Sequence, residues 1–187
     1  MCRQFDSGPR HRASFLANQC SLVAHLGYGD DAFRAAAAVK SATMANAMSW
    51  FDHQTKHTLA MAQAAAVDLN HSGIGAEHLL LGILVTECAA RSALQSMSVD
   101  AERARVAVQA FVPPGDEPVV PRDIALTPAA VAAIDRANTL RQQEKCADLT
   151  PTLLLLALLA DEENVATKVL VRLGATPDRV RKVLIAH

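Results

Sequence analysis

Hydrophobic residues are crowded along this chain into short runs, set between polar turns marked by glycine and proline. The densest of the first half is Leu79 to Leu84, broken only by Gly82 and preceded by Ile74-Gly75-Ala76-Glu77-His78. An apolar run of this length fits a strand or a buried helix equally well. Its flank favours a helix. Gly75 is able to take the unusual backbone angles of a helix-entry position. Glu77 falls in the first turn, where a carboxylate meets the positive end of the helix dipole.

A second copy decides between strand and helix. Leu149-Thr150-Pro151-Thr152-Leu153-Leu154-Leu155-Leu156-Ala157-Leu158-Leu159 aligns without a gap on the stretch from Ile74 to Leu84. The upstream residues keep the same offset, Phe51 on Leu126, Leu59 on Ile134 and Gln63 on Asn138. After a one-residue slip, Leu94, Met97 and Ser98 fall on Leu170, Leu173 and Gly174, and Arg103 and Arg105 on Arg179 and Arg181. An internal repeat of this length defines an architecture. Thr150-Pro151 is a helix start, a threonine that caps free amides followed by a proline that loses nothing by lacking an N–H. The helical assignment carries back to Gly75-Ala76.

Each repeat then divides into four helices. In repeat one, residues 50–112, Asp52 caps a helix through Leu69 with Leu59, Ala62, Ala66 and Leu69 on one face. A second runs from Ala76 to about Thr86, and a third from about Ala89 to Met97. The fourth spans Ala101 to Phe111, with Val106 and Val108 as candidate core positions. Residues 113–125, with four prolines, form a stiff polar linker. In repeat two, residues 126–187, helices start at Thr127-Pro128, Thr150-Pro151, after Asn164, and at Thr176-Pro177, and Gly174 stops the third. The predicted architecture is all-α, two tandem four-helix repeats packed as a pseudo-twofold pair.

Residues 1–49 lie outside the repeat. Met1 to Arg12 is polar and expected to be disordered, and Ala13 to Leu26 and Ala32 to Met48 are helix-prone. They form a flexible extension or a helix laid on the domain, the alternative being a docking arm for a partner.

Composition narrows the function classes. The chain of 187 residues is half apolar and so globular, and its net charge of −1 leaves no electrostatic footprint for nucleic acid. The longest purely apolar run, Leu153 to Ala160, is far too short to span a bilayer. No signal peptide is expected at the N-terminus. Cys2, Cys20, Cys88 and Cys146 show no metal-ligand spacing, and are expected to be free thiols in the cytoplasm. No Gly-x-x-x-x-Gly-Lys-(Ser/Thr) loop cradles a nucleotide phosphate, and no nucleophile, base and orienter form a motif.

The duplicated stretch resembles the N-terminal domain of Clp-type AAA+ unfoldases, closest to their ClpC-like branch. That family's repeat begins with a Phe or Tyr-Thr-Pro helix start and reaches a Gly-Thr-Glu-His-(Ile/Leu)-Leu-Leu-Gly signature. The first copy here has Phe51 and Gly75-Ala76-Glu77-His78-Leu79-Leu80-Leu81-Gly82. The second has Leu126-Thr127-Pro128 and Thr150-Pro151-Thr152-Leu153-Leu154-Leu155-Leu156-Ala157. The resemblance covers about residues 50–187. Members of the family usually continue into two ATPase modules; this sequence holds no nucleotide-binding loop, so it is expected to resemble a freestanding Clp repeat domain without them.

What the resemblance implies is a non-catalytic binding protein of Clp-dependent proteolysis, acting as adaptor, regulator or decoy. Its expected partners are Clp unfoldase or protease components, their substrates and adaptors, phosphoarginine-bearing proteins, and cyclic-peptide ligands, with no cofactor, nucleic acid or membrane. In ClpC-like domains the glutamate matching Glu77 is implied in recognising phosphoarginine, one site per repeat. The expected ligand-binding residues are therefore Gly75, Ala76, Glu77 and His78. Free amides at a helix start attract the phosphate, and the carboxylate holds the guanidinium. In repeat two, Thr150, Pro151 and Thr152 stand at the matching positions, with no charge and one N–H fewer, so that site is expected to be degenerate. The structural alternative for Glu77 is simple stabilisation of the first turn, worth some tenths of a kcal/mol. His71 and His78 flank Glu77, but their spacing fits no metal motif, and no metal is expected. The alternative function is a stand-alone structural or regulatory protein whose partner is unrelated to Clp.

Overall fold

A computed structural model of the chain describes residues 48–120 and 124–186. The expectations for the N-terminal extension fall outside these residues, apart from a 3-10 turn at Met48–Trp50. Among the described residues eight α-helices follow it, and five of them begin at a side-chain cap, Asp52, Asp100, Thr127, Thr150 or Asn164. The first four are α1 His53–Asp68, α2 Ala76–Val85, α3 Ala89–Ser96 and α4 Ala101–Phe111. The second four are α5 Pro128–Gln143, α6 Pro151–Leu158, α7 Val165–Arg172 and α8 Pro177–Ala186. Asp52 accepts the Thr55 amide at 2.6 Å, Asp100 that of Arg103 at 2.8 Å, Thr127 that of Ala130 at 3.2 Å and Asn164 that of Thr167 at 2.8 Å. Each cap satisfies an amide that the helix leaves unpaired, worth about 1 kcal/mol.

The two repeats end their helices alike. Asn70 and Lys145 close α1 and α5 with the same positive φ of 54°, and Ser98 and Gly174 close α3 and α7 at 62° and 83°. Val99 donates to the Leu94 carbonyl as Ala175 does to that of Leu170. These are the αL helix ends in which the chain turns back and satisfies the last carbonyls.

Packing follows the same symmetry. α2 and α6 are apolar nearly all round and form the centre, where Leu79, Leu80, Ile83, Leu154, Leu155 and Leu158 are fully buried. Each such side chain contributes about 1.5–3 kcal/mol. α1 lies on α2 and α5 on α6, while across the repeats α4 packs on α7 as α8 packs on α3. Two short parallel contacts tie the halves together. β1 (Gly73–Ile74) pairs with β2 (Ala125–Leu126), and Phe51 bridges Leu149. The register makes these mates, since Phe51 corresponds to Leu126 and Ile74 to Leu149. Thr127 donates its amide to the Ile74 carbonyl at 3.0 Å, and Asp52 donates to that of Leu149 at 3.1 Å.

Three expectations are corrected. Val106 is 59% exposed while Val108 is fully buried, because residues two apart on a helix point to nearly opposite sides. Gly75 adopts an ordinary extended conformation, φ −93° and ψ −179°. A Cβ there would meet only the Glu77 carboxylate, the mobile end of a side chain, so glycine lets Glu77 fold back over this position. Cys146 is disulfide-bonded, whereas Cys88 is free. Spacing along a chain does not show which cysteines meet in the fold.

Candidate functional site

The loop between α1 and α2 gathers the residues singled out in the sequence. Gly75 is the N-cap of α2, and Ala76, Glu77 and His78 form its first turn. Ala76 and His78 are buried as whole residues, so in this arrangement neither presents its side chain or its backbone amide to solvent. Glu77 bends back over Gly75, leaving its side chain 12% exposed. Its carboxylate thus covers the positive end of α2, the place where an external anion would sit.

His78 is fully buried and hydrogen-bonded at both ring nitrogens. The Gly75 amide donates to Nδ1 at 2.9 Å. Nε2 lies 2.8 Å from Nδ1 of His71, whose own Nε2 lies 3.0 Å from the Pro113 carbonyl. Burial first, and the neighbouring His71 second, push the His78 pKa down to about 4. The 3.3 Å approach of Glu77 Oε1 to His78 Nδ1 is therefore no ion pair at neutral pH. The same loop is clamped to the linker between the repeats. The Gly115 amide donates to the Leu69 carbonyl at 2.9 Å, and Asn70 Nδ2 donates to the Gly115 carbonyl at 3.1 Å.

Donor atoms of His71, Glu77 and His78 lie within 4.8 Å of one another. They do not converge as metal ligands, because His71 and Glu77 approach opposite nitrogens of the same ring. A bound ion needs its donors aimed at one point about 2 Å away.

Repeat two reproduces the backbone of this site and none of its chemistry. Thr150 caps the Leu153 amide at 3.4 Å, Pro151 is buried at the first helical position, and Thr152 replaces the carboxylate. Cys146 and Leu153 stand where repeat one has the two imidazoles. Around the loop in its place, Arg141 lies 5.2 Å over the Trp50 ring and donates to the carbonyls of Cys146 and Ala147.

Sequence patterns missed two participants. Pro113 enters through its carbonyl, which carries no residue signature. Thr127 lies against the loop, its Cγ2 2.9 Å from where a Cβ on Gly73 would be, and only the pairing of β1 with β2 brings it there. A hydroxyl–imidazole contact elsewhere, His57 Nδ1 to Thr86 Oγ1 at 3.2 Å, is no nucleophile, since the buried Thr86 hydroxyl donates to the Gly82 carbonyl. Among the described residues, no helix is long and apolar enough to cross a membrane.

A pseudo-twofold pair of four-helix repeats, with a capped glutamate loop on one half, defines an all-α Clp-type N-domain. The chain belongs to the Clp repeat (R) N-terminal domain family, whose model matches residues 50–173 and 133–187. It is 29% identical over 136 residues to the chaperone protein ClpB of Oceanobacillus iheyensis, a match that covers 72% of this chain and 17% of that one. The negative regulator of genetic competence ClpC/MecB of Bacillus subtilis is also 29% identical over 136 residues, covering 72% and 16%. The matched part is thus a small share of those relatives' length. In fold it resembles the N-terminal domain of the ClpD chaperone of Arabidopsis thaliana, with TM-score 0.64 and 19% identity over 74% of this chain and 97% of that one. It also resembles a ClpV N-domain solved in complex with a VipB peptide, with TM-score 0.59 and 20% identity over 75% and 90%.

Proposed function

We propose that this domain is a non-catalytic binding module of Clp-dependent proteolysis that recognises peptide segments of substrates or adaptors, acting as adaptor, regulator or decoy. Family membership supports the module, and the ClpV N-domain seen with a VipB peptide supports the peptide as ligand class. A pulldown with the full chain as bait separates the roles. An adaptor or regulator enriches Clp unfoldase or protease subunits, and a decoy enriches their substrates alone. Enrichment of neither would favour the alternative, an interaction protein unrelated to Clp.

The finer proposal is that repeat one takes phosphoarginine. The observation that carries it is the Glu77 carboxylate folded back over Gly75, where α2 opens. An arriving phosphate replaces that carboxylate on the amides, and the displaced Glu77 turns outward to meet the guanidinium of the same ligand. Repeat two has no charge to turn. A charge-assisted hydrogen bond is worth roughly 1.5–3 kcal/mol, so its loss weakens a site by about tenfold to over a hundredfold. Titration calorimetry with a phosphoarginine peptide should give a stoichiometry near one. Glu77→Ala should abolish binding without loss of helicity, and Thr152→Ala should leave it unchanged. Two equal sites, or unaltered binding by Glu77→Ala, would return Glu77 to a purely structural role.

A further inference from the structure

The proton positions in the Gly75–His78–His71–Pro113 chain follow from its two ends. An amide only donates, so His78 Nδ1, 2.9 Å from the Gly75 nitrogen, is unprotonated. A carbonyl only accepts, so His71 Nε2, 3.0 Å from the Pro113 oxygen, carries a hydrogen. With both rings neutral, the proton between them sits on His78 Nε2 and is donated to His71 Nδ1 across 2.8 Å. Every ring nitrogen is then used once, and a further proton has no vacancy within the chain. It has one beside it, because Glu77 Oε1 waits 3.3 Å from His78 Nδ1.

We propose that His71 and His78 form a proton-operated switch that trades the Gly75 amide for the Glu77 carboxylate. One proton, delivered from solvent by way of the partly exposed Glu77, adds to His78 Nδ1. That nitrogen then donates to Glu77 and no longer accepts from Gly75. The proton shared between the rings sits on either nitrogen, and in both distributions the pair carries a single positive charge. The Gly75 amide is released, and Glu77 is drawn into an ion pair. The groups that face the pair are Glu77 and the two rings themselves. Besides burial, the charge that acts on His78 is that of His71, while Asp68 of α1 pairs with Arg105 of α4 at 3.2 Å and Arg136 of α5 with Asp161 at 3.7 Å. The low pKa of His78, about 4, keeps the neutral arrangement in place at neutral pH and assigns the switched one to acid. With Cys146 and Leu153 in place of the imidazoles, repeat two is an internal control.

The switch does not require a ligand. Its consequence, that acid withdraws Glu77 from a guanidinium, rests on the reading of Glu77 proposed above. The test therefore uses the full chain without ligand. Long-range proton–nitrogen NMR should find both rings as Nε2–H tautomers at about pH 7.5. On titration towards pH 4, His78 Nδ1 should gain its proton while far-UV circular dichroism stays helical, and exchange of the Gly75 amide should rise at least about tenfold beyond its intrinsic pH dependence. The Leu153 amide, capped by Thr150, should show no such rise. Glu77→Gln, a partly exposed change that keeps the side-chain shape, should move the transition to lower pH. An Nδ1–H tautomer of His78 at neutral pH would overturn the proposal, as would a transition unmoved in Glu77→Gln. Gly75 exchange that merely tracks global unfolding would do the same.

Discussion

His78 is where a single side chain has the largest consequence for this domain. Its pKa is depressed from 6.5 to about 4 by burial, so the folded state binds fewer protons than the unfolded one between those values. The sign follows directly. Above about pH 6.5 both states hold a neutral ring and the domain has its full stability. As pH falls toward 4 the unfolded chain protonates first and stability declines, levelling off once the folded ring also takes its proton. A shift of this size corresponds to about 3 kcal/mol. His57, also depressed by burial, acts in the same direction. Urea midpoints should therefore drop between about pH 7 and pH 5. His78→Leu, which copies Leu153, should flatten that dependence while costing about 1–3 kcal/mol at neutral pH for the orphaned Gly75 amide. An unchanged pH slope in the variant would place the sensitivity elsewhere.

At the scale of the element, α2 crosses α1 at Gly82. A Cβ on Gly82 would collide with the Thr58 carbonyl and lie 3.0 Å from the Ala62 nitrogen. Alanine is favoured over glycine inside a helix by about 1 kcal/mol, and overpacking costs about 1–3 kcal/mol. Because the obstacle is backbone, which yields less than a side-chain tip, Gly82→Ala should be destabilising on balance. A raised thermal midpoint would show that the two helices have room to part. The starts and stops of the helices were legible in advance, because a cap acts on amides two or three residues away. The orientation of α4 was less so. Val106 and Val108 are equally apolar, and which of them faces inward depends on where α7 lies.

At the scale of the whole molecule, the two repeats form one core. α4 on α7 and α8 on α3 cross between them, and the contacts of Phe51 with Leu149 and Ile74 with Leu126 tie the entry of each repeat to the segment before the other's second helix. Thr55 Oγ1 adds a buried bond of 2.7 Å to the Leu149 carbonyl. Neither half buries its central helix alone, so unfolding should be a single cooperative transition. Trp50, the sole tryptophan, stacks under Arg141 from the other repeat and reports on the junction. Its fluorescence and the far-UV signal should give coincident denaturant midpoints. An earlier fluorescence transition would mean that the halves part before they melt.

The sequence by itself determined the helices, their caps, the repeat and its register, because each depends on residues close in the chain or on a period counted along it. It also marked Glu77 as the charged member of a pair whose counterpart is Thr152. Only the tertiary structure decided what meets across distance. The pairing of Gly73 and Ile74 with Ala125 and Leu126, the fold of Glu77 over Gly75, and the proton-ordered path from Gly75 through His78 and His71 to Pro113 all join groups that carry no mutual signal in sequence. Backbone carbonyls and amides are the same at every residue, so their partners are set by where the packed helices bring them.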